Sequence, residues 1–175
     1  MQRHRVFIAI NLPEDIKRSL APFQKMWSDI PVKWVRPENL HITLEFLGYV
    51  KDEELVEIFK NTQEITLKHS VFDINLTKIC YGPLNKPPRM IWAVGEESKE
   101  LSSLKKDLAE DQGFIVHITL GRLRKWEWQR IEPEDRPEID QDIDLNFTVN
   151  SIEIMESVLK RGGSEYKELS SFDLK

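Results

Sequence analysis

Among the 175 residues there is one cysteine, no run of about 18 apolar residues and no surplus of positive charge. Each absence removes a class. A single thiol, Cys80, can form neither a disulfide nor a cysteine-based metal site within the chain, and its place in the alternating stretch FDINLTKICYG marks it as a small core residue. Without a long apolar run no membrane-spanning helix is expected, and the opening MQRHRVFIAINLPED lacks the small-residue cleavage site of a secretory signal. The sequence therefore points to a soluble, cytoplasmic protein with no membrane partner, taken as a monomer. Lys and Arg number 25 against 30 Asp and Glu, a net charge of −5, which argues against sequence-independent coating of nucleic acid. A phosphate-bearing partner has to be held by a local patch, and NKPPR and GRLRKWEWQR supply Lys86, Arg89, Arg122, Arg124, Lys125 and Arg130 for one.

What is present is a core-forming composition, 40% hydrophobic, arranged in two halves with the same grammar. RVFIAINL predicts a strand, Pro13 opens a helix with Ile16, Leu20, Phe23 and Trp27 at helical spacing, and KWVRPENLHITLEFLG returns to extended chain. The second half repeats the order. RMIWAVG is a strand, Ser98 caps a helix carrying Leu101, Leu104 and Leu108, and GFIVHITLGRL is extended again. Between them lie a helix from Asp52 to about Leu67, with Leu55, Ile58 and Phe59 inward, and the strand VFDINLTKI. The alternating NFTVNSIEIMESVLKRGGSEYKELSSFDL closes the chain as a hairpin turning at KRGGS. The expected fold class is α+β, a bilobal single domain over 1–175. Its two lobes are related by a pseudo-two-fold and intertwined, each of mostly antiparallel sheet with helices packed outside, around a central cleft.

The phrase His-Ile-Thr-Leu occurs at residues 41–44 and again at 117–120. On a strand, side chains alternate, so His41 and Thr43 share one face and His117 and Thr119 share another. A lone strand histidine is usually a structural residue. Two copies at matching places in a repeat point instead to chemistry, with two imidazoles and two hydroxyls facing a groove.

Zinc normally takes three or four protein ligands, and neither strand brings a cysteine or a spaced second histidine. Glu45, two residues beyond Thr43 and expected on the same face, leaves a His, His, Glu set as the lesser reading; no metal and no cofactor are expected. A Ser-His-Asp triad lacks its Gly-x-Ser-x-Gly elbow. Two histidines near the reference pKa of ~6.5 can share one proton removal and one proton donation at neutral pH. Such a pair suits an in-line displacement at phosphorus, where base and acid flank the substrate. Thr43 and Thr119 would then hold non-bridging oxygens, and Arg122 would neutralise the charge developing on them.

FIAINLP, WVRPENLHITLEFLG, PPRMIWAVG, FIVHITLGR and GSEYKELSSFDL together resemble the RNA 2′,3′-cyclic phosphodiesterase or 2′-5′ RNA ligase family, of the two-histidine (2H) phosphoesterase superfamily, over nearly the whole chain. The resemblance implies a bilobal α+β fold with a central cleft. It also implies metal-independent opening of RNA 2′,3′-cyclic phosphate ends to 2′-phosphomonoesters and, in some members, reversible 2′-5′ joining of tRNA halves. It casts His41 as the acid that protonates the leaving O3′ and His117 as the base that activates water, with Thr43, Thr119 and Arg122 around the phosphate. Two departures are visible: Val116 stands where the family has proline, and the connection from Leu108 to Phe114 is short. Both predict an altered approach to the second strand. Competing functions are a non-catalytic RNA-end binding module and a phosphodiesterase for 2′-5′ oligonucleotides or small cyclic phosphates. Intact histidines weigh against the first, because lysine or arginine clamps phosphate better.

Among accessory features, Trp126 and Trp128 are expected to pack a loop onto the lobe, with base stacking as the alternative. Phe7 and Phe46 are expected in the core, with a nucleobase contact left open by the family resemblance, His4 and His69 on the surface, and EPEDRPEIDQDIDL as a solvated connection.

Overall fold

The computed structural model describes residues 3–109 and 113–175. Strand β1 (Arg3–Asn11) leads through Pro13 into α1 (Glu14–Met26), whose first turn carries Glu14 and Asp15 and which buries Ile16 and Leu20. Acidic residues there complement the positive end of the helix. Short β2 (Val32–Trp34) and a 3₁₀ turn over Pro37–Asn39 precede β3 (His41–Lys51). Helix α2 (Asp52–Thr66) starts where the Glu54 carboxylate accepts from the Lys51 backbone N–H at 2.7 Å. Then come β4 (Phe72–Gly82), β5 (Met90–Gly95) and α3 (Lys99–Leu108). Ser98 caps α3 as the sequence indicates, its hydroxyl accepting from Leu101 N at 3.1 Å. The chain continues as β6 (His117–Leu123), α4 (Lys125–Gln129), β7 (Asp140–Val149), β8 (Ser151–Lys160) and β9 (Gly163–Asp173).

The strands form two antiparallel sheets, one in the order β3-β1-β8-β9 and one in the order β2-β6-β5-β4-β7. Their inner side chains join a single core. Leu20, Ile42, Leu101, Leu104, Ile118 and Leu120 all have no exposure in it, and truncating any such leucine to alanine is expected to cost ~2–5 kcal/mol. The helices exchange lobes. α1 follows a strand of the first sheet and packs against β7 of the second, whereas α3 follows a strand of the second and packs against β3 of the first. The α+β class with two mostly antiparallel sheets is as expected from the sequence. No helix among the described residues is long and apolar enough to cross a membrane.

Several expectations need correction. The stretch NFTVNSIEIMES is not one alternating strand: β7 ends at Val149 in the second sheet and β8 begins at Ser151 in the first. Only β8 and β9 make the hairpin, turning before Gly163, whose φ of 120° suits glycine. EPEDRPEIDQDIDL is not a connection throughout: from Asp140 it is edge strand β7, whose Asp140, Asp142 and Asp144 stay exposed as expected, with Lys78 of β4 2.6 Å from Asp140. Cys80 is half-buried, not core. His69 is buried, bonded at 2.8 Å to Asp107 of α3. His4 is largely covered too, its ring bridging Glu156 at 2.6 Å and Asp52 at 2.7 Å. Phe7 is core-like at 4% exposure, but Phe46 is 69% exposed. The short 108–114 connection includes residues 110–112, which lie outside the described residues. Val116 beyond it is buried, and its carbonyl accepts from Gly95 N at 2.9 Å, so extended pairing is in place before His117.

Candidate active site

The two sheets face each other across an open cavity of about 1050 Å³. His41, Thr43, His117, Thr119 and Arg122 all line it. Each residue of the sequence-based set is therefore brought to one place, from β3 on one side and β6 on the other.

The two histidines are built alike. Nδ1 of His41 lies 2.7 Å from the carbonyl of Asn39, two residues back, and Nδ1 of His117 lies 2.8 Å from the carbonyl of Ile115, also two residues back. A carbonyl can only accept, so Nδ1 carries the proton in each ring, and Nε2 is the atom left to take or give one. On the first strand that atom is 2.9 Å from Thr43 Oγ1, whose hydroxyl donates to it while the ring is neutral.

Aromatic rings fix both imidazoles. His41 packs against Phe7 at 5.1 Å between centroids and meets Tyr166 edge-on at 5.2 Å. His117 stacks on Trp92 at 3.9 Å and 23°. The Trp92 ring lies over Gly82, where a Cβ would fall 2.2 Å from the indole, so only glycine permits this placement. Its buried Nε1 has no hydrogen-bond partner among the described residues, so packing holds the ring in place.

Burial lowers both histidines from the ordinary value. For His41 desolvation is the leading cause, reinforced by the charges of His117 and Arg122; for His117 desolvation again leads, with Arg122 adding to it. The backbone carbonyls oppose the shift in each case. Both shifts favour the neutral ring in the free protein, and an anionic ligand beside Arg122 would oppose them.

Strict alternation would turn Arg122 away from the row of His117 and Thr119. A β-bulge reverses this. Trp92 pairs with Thr119 but Ile91 pairs with Gly121, so Leu120 is an extra residue, and Arg122 falls opposite Met90, back on the cleft side. The same device acts on β3. Ala9 pairs with Thr43 and Ile8 with Glu45, leaving Leu44 extra. Glu45 is thereby moved off the Thr43 row and lies 3.5 Å from Lys105, while Phe46 pairs with Phe7 and takes the cleft side. The bulge takes Glu45 out of the Thr43 row, opposite Ile8, although Glu45 still borders the cavity. Among the described residues, no group of three or more His, Cys, Asp or Glu side chains is placed to hold a metal.

Trp92 and Tyr166 are cleft residues not foreseen from the sequence, and Phe46, expected in the core with a nucleobase contact as the alternative, is exposed on the cleft. Trp92 had a signal, since a strand neighbouring that of His117 must offer side chains to the same face; Tyr166 reaches His41 only through the far end of the chain. Of the tryptophan pair, Trp128 packs on Tyr81 at 5.5 Å and under Arg136 at 4.9 Å. Trp126 is 76% exposed beside Lys125, contrary to a shared packing role.

A family model described as "LigT like Phosphoesterase" matches residues 10–92. A protein of Methanocaldococcus jannaschii named RNA 2′,3′-cyclic phosphodiesterase is 31% identical over 178 aligned residues, covering 96% of this chain and 99% of that one. The chain belongs to the LigT-like phosphoesterase family. Solved structures agree over both lobes. TT0787 of Thermus thermophilus is similar with a TM-score of 0.79 at 27% identity, covering 97% of each chain. E. coli LigT complexed with 3′-AMP has the same fold, with a TM-score of 0.80 at 22% identity and 99% of each chain covered. The family model ends at Trp92, short of His117, whereas the full-length relatives extend past it, so the LigT-like assignment covers both His-Ile-Thr-Leu phrases.

Proposed function

We propose that this LigT-like phosphoesterase opens RNA 2′,3′-cyclic phosphate ends to 2′-phosphomonoesters by paired histidine acid and base catalysis, without a metal. The observation that carries the reading is the pair of like-oriented imidazoles. Each has Nδ1 tied to its own backbone and Nε2 left for proton transfer, in one cavity with two threonines and an arginine. The relatives named RNA 2′,3′-cyclic phosphodiesterase support the substrate class.

In this reading the cyclic phosphodiester sits between β3 and β6, its non-bridging oxygens on Arg122 and the hydroxyls of Thr43 and Thr119. Water attacks phosphorus as Nε2 of His117 takes its proton. The bond from phosphorus to O3′ breaks as Nε2 of His41 delivers a proton to that oxygen. The product keeps the phosphate on O2′, and the two histidines have exchanged protonation states. Arg122 meets charge that grows on the equatorial oxygens, where fixed donors lower the barrier most. A 5′-hydroxyl in place of water, as at the junction of two tRNA halves, would give a 2′-5′ bond by the same transfers.

The deciding experiment is incubation of RNA ending in a 2′,3′-cyclic phosphate with the protein in EDTA. The expected product is a 2′-phosphate. A 3′-phosphate, or loss of activity restored by a divalent ion, would sink the mechanism.

A further inference from the structure

The extra residue of each bulge is the leucine of its His-Ile-Thr-Leu phrase, Leu44 on β3 and Leu120 on β6. A bulge disturbs the ladder locally, and a buried carbonyl there has two lone pairs, so it can take a side-chain donor as well as a backbone one. In both lobes a helix side chain supplies one. Lys105 of α3 donates from Nζ to Leu44 O at 2.5 Å. Gln24 of α1 donates from Nε2 to Leu120 O at 3.0 Å and to Val35 O at 2.8 Å, reinforcing the link that Val35 N already makes to Leu120 O at 2.9 Å. The exchange is reciprocal: the helix of the first repeat holds the second histidine's strand, and the helix of the second holds the first's.

We propose that Gln24 and Lys105 are positioning residues that lock the two bulges and thereby aim the side chain five residues beyond each histidine, Phe46 and Arg122, into the cleft. The assignment rests on the reading of Arg122 as a phosphate ligand. Without the bulge, β6 would pair in plain register and Arg122 would face away from His117. Lys105 does more than its counterpart. It is buried at 5% exposure, lies 3.5 Å from Glu45 and sits 5.0 Å from the ring centroid of Phe114, in the segment that leads to the carbonyl holding His117. It thus touches the supports of both histidines. One lobe uses a neutral amide as donor and the other an ammonium, so the two roles should tolerate each other's chemistry.

The test is a double-mutant cycle with a rescue arm, on the full chain, with thermal melting to confirm folding. Two readouts are taken, kcat/KM for cyclic-phosphate-ended RNA and the affinity for inorganic phosphate by calorimetry. Gln24→Leu is expected to lower kcat/KM about tenfold or more, to weaken phosphate binding, and to add less than about twofold to the loss in Arg122→Ala. Independent, multiplying losses in the double variant would overturn the proposal, because a merely structural glutamine does not act through Arg122. Lys105→Gln is expected to recover most of what Lys105→Met loses, and Gln24→Lys most of what Gln24→Leu loses. Equal loss in the rescue and the deletion variants, all folded, would also overturn it. A wild-type protein that binds phosphate yet opens no cyclic ester would refute the substrate assignment alone, and the binding cycle would still judge the two positioning residues.

Discussion

The indole of Trp92 lies flat against the imidazole of His117, 3.9 Å between centroids, whereas His41 across the cleft is met edge-on by Tyr166 at 5.2 Å. Stacking covers one face of the His117 ring and so contributes to the burial that, with Arg122, lowers its pKa. Replacing Trp92 by leucine should rehydrate the ring and move its pKa up toward ~6.5. The acid limb of the kcat/KM profile is then expected to shift to higher pH, with the limb governed by His41 unmoved. Trp92→Phe should restore the position of the limb. An unchanged profile in the leucine variant, with the fold intact, would disconnect the indole from the chemistry.

The two histidines set the pH dependence as a pair. One must be neutral to accept and the other protonated to donate, so kcat/KM should be bell-shaped with two apparent values belonging to both. Burial lowers both rings in the free protein, which places the bell on the acid side of about pH 6.5. Bound phosphodiester brings negative charge beside the rings and raises them, so the kcat profile is expected at higher pH than that of kcat/KM. Coincident profiles would argue against direct contact with the phosphate.

Division of labour is separable by leaving group. His41→Ala and His117→Ala should each cost on the order of 10²- to 10⁴-fold on RNA. A nitrophenyl phosphodiester departs without a proton and should rescue the His41 variant selectively. Rescue of the His117 variant instead would exchange the roles.

Thr43 and Thr119 each offer one hydroxyl to the phosphate. Thr43→Val and Thr119→Val delete one hydrogen bond to a charged group, about 1.5–3 kcal/mol, equivalent to roughly 10- to 150-fold. Steady-state kinetics should therefore rank both above the histidine variants in residual activity. Losses equal to those of the histidines would mean the threonines do more than hold oxygens.

His4 is a stabilising group whose contribution titrates. Its pKa is raised above 6.5, first by Asp52 and then by Glu156. The folded state holds the ring's proton more tightly than the unfolded one, so the stabilisation is fully present below about pH 6.5 and fades as pH rises through the folded value. The melting temperature of wild type is expected to exceed that of His4→Gln by about 2–4 °C at pH 5.5, for about 1 kcal/mol, and by much less at pH 9. A gap independent of pH would make the bridge a packing effect.

Repetition is what the sequence displays well. The paired His-Ile-Thr-Leu phrases, the Ser98 cap and the helical spacing of Leu101 and Leu104 all depend on residues close in the chain, and all appear in the structure as expected. Arg122 is legible from its charge, but not how it reaches the cleft: simple alternation turns it the wrong way, and the bulge that corrects it appears only in the pairing of β6 with β5, at a carbonyl met by Gln24 from 96 residues away. Glu45 and Phe46 exchanged places for the corresponding reason at Leu44. His69 looked exposed because its cover, Asp107 and the Lys175 backbone, comes from distant parts of the chain. The change of sheet at Asn150 carries neither glycine nor proline, so nothing local marked it.

The order of the first sheet also bears on how the protein matures. β1 lies between β3 and β8, and Val6 of β1 pairs with Glu156 of β8. During synthesis the strand bearing His41 leaves the ribosome early, but the sheet that holds it stays open along β1 until nearly the whole chain has emerged. The other sheet closes with β7 and needs nothing that follows. A nascent chain arrested before β8 would present His117 in a finished sheet and His41 beside an unpaired, aggregation-prone edge, so the half of the site that is translated first is the last to become competent.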